Sequence, residues 1–101
     1  MRSTYAVVWR EGAGPLARGR LELLSFGLRL DGVAGSTHVR RAIPYDELAA
    51  VRIGRSNGDR LNGHPSLVID RVEGEPIVLA SVALQGAVAE LADHLAGRVV
   101  A

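Results

Sequence analysis

A change of hydrophobic period near residue 83 constrains this chain more than any other feature of its sequence. Before that point, short runs alternate apolar and polar residues, the period of a strand with one buried face. In the first run Tyr5, Val7 and Trp9 fall on one side, and Ala6, Val8 and Arg10 on the other. Next come Gly19, Leu21 and Leu23, opposite Arg18, Arg20 and Glu22, and then Leu28 and Leu30, opposite Arg29 and Asp31. Further strands are predicted over 38–44, 49–55, 66–72 and 76–82. After them, Leu84, Val88, Leu91, Leu95 and Val99 recur at spacings of four, three, four and four, which is one stripe of an α-helix. Gly97 supplies a C-terminal stop.

The breaks between runs carry turn chemistry. Glu11-Gly12-Ala13-Gly14-Pro15, Ser25-Phe26-Gly27, Ala34-Gly35-Ser36-Thr37 and Glu73-Gly74-Glu75 separate successive strands. The stretch 44–48 reads as a bend of one helical turn, with Asp46 as a cap. Two Asn-Gly signals make 56–64 an exposed, mobile loop. The expected fold class is therefore mainly β with one C-terminal helix: a seven-stranded antiparallel barrel or sandwich, with strands about 5–82 and a helix about 83–98 covering an open end. Its 101 residues suit a single domain spanning 1–101. The expected core is Val7, Trp9, Leu21, Leu23, Leu28, Leu30, Ile43, Val51, Ile53, Leu67, Ile69, Ile77, Leu79, Leu84, Val88, Leu91 and Leu95.

Composition removes several function classes. The chain has no cysteine, so disulfides, thiolate zinc sites and cysteine nucleophiles are excluded. Net charge is +1, which gives no bulk attraction to nucleic acid, and four aromatics offer no stacking platform. Arg40-Arg41 is too small a basic patch to change that. All twelve basic residues are Arg, as expected of a GC-rich genome. No signal-peptide stretch or span-length apolar run is present, and the expected location is cytoplasmic.

Seven strands closed by one helix resemble the pleckstrin-homology-like fold. The segment Gly19-Arg20-Leu21-Glu22-Leu23-Leu24, its turn Ser25-Phe26-Gly27 and Leu28-Arg29-Leu30 look like the strand, turn and strand in the first half of such domains. Ile43-Pro44-Tyr45-Asp46-Glu47-Leu48-Ala49-Ala50-Val51 looks like a segment common in bacterial members. The resemblance runs from about Tyr5 to Val99. The closing helix lacks the Trp frequent in eukaryotic members, so the chain resembles a divergent bacterial type. The resemblance implies a binding module for lipid headgroups, peptides or proteins.

Arg10, Arg18 and Arg20 are the candidate ligand-binding residues. They resemble the basic residues on the first two strands of phosphoinositide-binding members, and three guanidiniums on one face could grip a phosphate. Glu11 and Glu22 stand near enough to pair with them, and the alternative reading is a solvated outer face. His38, His64 and His94 lie far apart, and Glu90 with His94 makes only a helical pair, so no metal is expected. The segment 57–64 lacks a calcium loop's ligand alternation, and 12–15 lacks the Lys-Ser/Thr of a phosphate loop. None of Ser25, Ser36, Ser56, Ser66 and Ser81 sits in a nucleophile elbow. The expectation is a non-enzymatic interaction module without a cofactor. Its partner is another protein or a second copy of the chain. Anionic lipid binding through the arginines is one alternative, and a small enzyme with no readable motif is the other.

Overall fold

The computed structural model describes residues 4–54, 61, 64–82 and 86–98. The alternating runs form β1 (Thr4–Glu11), β2 (Ala17–Leu23), β3 (Gly27–Ala34), β4 (Thr37–Pro44), β5 (Leu48–Gly54), β6 (Ser66–Arg71) and β7 (Ile77–Ser81). The stripe of period 3.6 forms α1 (Ala87–Ala96). Every strand pairing is antiparallel, and the seven strands make one sheet in the order β4-β3-β2-β1-β7-β6-β5. The fold is mainly β with one C-terminal helix.

That sheet cannot be flat. Strands about 4.8 Å apart would hold β4 and β5, its two edges, about 29 Å from each other. Yet only the single 3-10 turn Tyr45–Glu47 joins Pro44 to Leu48, a reach of at most about 14 Å. The sheet therefore curls until its edges approach at that corner. Gly19 and Gly32 are paired in the middle of β2 and β3, where the backbones come close. A Cβ on Gly32 would stand 2.6 Å from the Arg18 carbonyl oxygen, and one on Gly19 would collide with that of Asp31. Only glycine permits this approach.

The concave face holds the core. Tyr5, Val7, Trp9, Leu21, Leu28, Leu30, Ile43, Leu48, Leu67, Ile69, Ile77 and Leu79 pack in one cluster with Ala87, Leu91 and Leu95 of the helix. The helix lies against β5, β6 and β7. It reaches β1 through the Tyr5 hydroxyl, which donates to Glu90 Oε1 at 2.7 Å.

Several expectations need correction. The described helix starts at Ala87, after Gly86 at φ 86°, so Ala87 joins Leu91 and Leu95 on the buried face while Val88 is half-buried. Leu84 and Val99 lie outside the described residues. The helix ends at Ala96 with Gly97 as its C-cap, as expected, though in a right-handed conformation at φ −74°. Asp46 does not cap the 3-10 turn, which Pro44 precedes and no side chain caps. Leu48, expected in the bend, opens β5 and is fully buried. Leu23, Val51 and Ile53 pack against the core but are only half-buried.

The loop expectation for 56–64 fails at Leu61. This residue is 4% exposed and packs with Val8 and Ala80 in a second apolar cluster. Leu61 and His64 exchange both backbone hydrogen bonds, at 3.1 and 2.9 Å, across the Asn62-Gly63 pair. The remainder of that segment lies outside the described residues.

Candidate binding surfaces

Register places the three candidate arginines on one convex face. Arg18 pairs opposite Val8, and Arg20 opposite Ala6. Arg10 lies two residues beyond Val8, on the same side, and pairs opposite Val78 of β7. Arg18 and Arg20 are exposed, and Arg10 is half-buried. Beside Arg18 runs a shallow groove lined by Val8, Gly19 and Val82.

Their electrostatic settings differ. Arg20 Nε lies 3.4 Å from Glu22 Oε1, and Arg20 also pairs in register with Asp31. Glu22 accepts a closer hydrogen bond from Arg29 Nη2, at 2.9 Å, and this bond holds the Glu22 carboxyl below its ordinary range. Asp31 is held low first by its hydrogen bond with His38, and then by the charge of Arg40 at 3.4 Å. Acidic neighbours therefore offset Arg20, whereas Arg18 has no acidic partner among the described residues.

Glu11 does not join this group, contrary to the sequence expectation. It ends the concave phase of β1, after Tyr5, Val7 and Trp9. Its Oε1 accepts from Arg41 Nε at 2.9 Å, and its Oε2 accepts from Arg71 Nη2 at 2.6 Å. Burial alone would raise the Glu11 pKa, but the two guanidiniums outweigh it and hold the carboxyl below its ordinary range. This clamp ties β1 to β4 and β6 across the concave side. Sequence reasoning missed it, although a signal was present: Arg41 follows Val39, and Arg71 follows Ile69, in the inward phase of their strands.

The two sheet edges complete the inventory. β4 carries His38, Arg40 and Arg41, all exposed. β5 has the sequence Leu-Ala-Ala-Val-Arg-Ile-Gly, with one charge, and Ala49 and Ala50 are exposed. Its register with β6 shifts between Leu48 and Ala50. Glu90 is engaged by Tyr5, and no group of three or more ligand-type residues occurs among the described residues. No helix among them is long and apolar enough to cross a membrane. Comparison of the chain with protein-family models, curated proteins and solved structures gave no match.

Proposed function

We propose that this chain is a non-enzymatic, cytoplasmic interaction module of pleckstrin-homology-like architecture that self-associates by strand pairing along β5. The observation that carries the reading is the character of that edge. An edge strand offers a row of unpaired backbone N–H and C=O groups, and proteins commonly blunt such rows with charge. β4 is blunted in this way and β5 is not. A second copy is the natural occupant, because two antiparallel β5 strands would bring small alanine side chains together with little opposing charge. The same juxtaposition of two β4 strands would crowd histidine and arginine.

Sedimentation equilibrium of the whole chain tests this. The wild type should form a dimer whose population rises with concentration, and Ala50→Lys should remain monomeric, with a melting temperature equal to the wild type's at concentrations where the dimer is dissociated. A wild type that stays monomeric across the accessible range contradicts the reading.

Arg18 supports a second reading, contact with an anionic lipid headgroup, because it is exposed beside a shallow groove. Salt-sensitive sedimentation with anionic but not neutral liposomes, lost in Arg18→Glu/Arg20→Glu, would establish it. The acidic neighbours of Arg20 argue for the β5 reading first.

A further inference from the structure

The outer edge of β4 is laid out for a strand of opposite character. Among the described residues β4 has one strand neighbour, β3. Two observations fix which of its backbone groups face outward. The β3–β4 hairpin closes on Ala34 and Thr37, with two residues between them. Past the other end of β4, the Tyr45 N–H donates to the Phe26 carbonyl at 3.0 Å, in the same register. Hydrogen-bonded pairs alternate along an antiparallel ladder, so the odd-numbered residues from Thr37 to Tyr45 bond to β3. The backbone groups of His38, Arg40 and Ala42 therefore face outward. The outward Arg40 carbonyl already serves as an acceptor, for Arg41 Nη1 at 2.8 Å, and an incoming N–H replaces that bond.

The side chains of this phase add a preference for charge. They lie on the convex face, where His38 pairs opposite Val33, Arg40 opposite Asp31 and Ala42 opposite Arg29. The side chains of His38 and Arg40 are each 62% exposed, and both draw on one acid, Asp31. Asp31 also pairs in register with Arg20. The same imbalance recurs nearby: Glu22 is shared by Arg20 and Arg29, and Glu11 by Arg41 and Arg71. Residues 4–44 hold six arginines against three acids, so this half of the sheet carries surplus positive charge. On the concave face, half-buried Val39 and fully buried Ile43 flank Arg41.

We propose that the β4 edge captures an acidic, extended segment of a partner protein as an added strand. The segment's N–H and C=O groups bond to those of His38, Arg40 and Ala42. Its acidic side chains stand opposite His38 and Arg40 on the convex face, and the apolar ones between them lie beside Val39 and Ile43. The charge that keeps a like strand off β4 selects this unlike one. The proposal goes beyond the β5 reading and shares no residue with it.

The experiment titrates the isotope-labelled full chain, at fixed concentration, with the peptide acetyl-Thr-Glu-Val-Glu-Val-Glu-Thr-amide and follows amide shifts and exchange by NMR. Amides of His38, Arg40 and Ala42 should gain protection. Those of Val39, Arg41 and Ile43, already bonded to β3, and those of β5 should not change. A peptide with glutamine in place of each glutamate should bind about fivefold more weakly, the worth of a good opposite-charge pair across strands. The acidic peptide N-methylated at its glutamates keeps its charge but lacks the donors, and should give no protection. Arg40→Glu should weaken binding about tenfold, since attraction becomes repulsion. If that variant does not fold, Arg40→Gln replaces it and should weaken binding about fivefold. Ala50→Lys, on β5, should leave binding unchanged. Protection that is absent, that falls on the odd-numbered amides or on β5, or that survives N-methylation overturns the proposal. So does an affinity that ignores the glutamates or Arg40, or that falls with Ala50→Lys.

Discussion

The two edges of one sheet have been treated in opposite ways. β4 adds charge pairs to its one fully buried anchor, Ile43: His38 and Arg40 meet Asp31, and Arg41 meets Glu11 on the far side of the curl. β5 is held from beneath, by the fully buried Leu48, by half-buried Val51 and Ile53, and by the helix packed against it. A strand secured by charge shows charge along its edge and repels a like strand. A strand secured by apolar burial has no such need, and its exposed Ala49 and Ala50 leave the backbone accessible. What anchors an edge thus also decides whether that edge can be extended.

The largest test removes the apolar anchor. Leu48→Ala should cost about 2–5 kcal/mol in urea unfolding, because it empties a fully buried site under β5. A cost below that range would mean that β5 is not held as described. Gly19→Ala comes next, at about 3 kcal/mol, since the added Cβ collides with backbone and opposes the curl that brings the two edges together. A variant as stable as wild type would break the account of the corner. Glu11→Gln should cost about 1–2 kcal/mol, less than a fully buried pair would, because Glu11 and Arg41 are partly exposed.

Acid should separate the edges without any mutation. Glu11 and Asp31, the acids that hold β4, have pKa values below their ordinary 4.5 and 3.8. Depressed values mean stability that is fully present above the ordinary pKa and is lost as pH falls through the lower, folded one. Amides of β4 should therefore lose exchange protection below about pH 4 before those of β5 do. Simultaneous loss would show that the charge pairs do not secure β4. The smallest change in stability, within about 0.5 kcal/mol, is expected for lysine at the exposed alanines. Ala50→Lys on β5 should abolish association, and Ala42→Lys on β4 should not.

Much of this was legible in the sequence. Alternation gave the inward phase of β1, β2, β3, β6 and β7, and the switch in period gave the helix. Leu48 was missed because the residues before it read as a bend, and three residues of 3-10 turn suffice to start a new strand. Leu61 was missed because a lone leucine among Asn-Gly pairs carries no period. Alternation also assigned Val8 to the solvent side, since a local pattern cannot tell whether something folds over an outer face. The Glu11 clamp was hidden for another reason: its phase was readable, but its partners depend on how far the sheet curls. The edges were readable as composition, while their positions as edges required the strand order.

Hydrogen exchange of the wild-type chain at low and high protein concentration tests the central claim most directly. The β5-edge account predicts that amides of β5 gain protection as concentration rises, while those of β4 do not change. Protection gained along β4, or along neither edge, would contradict it.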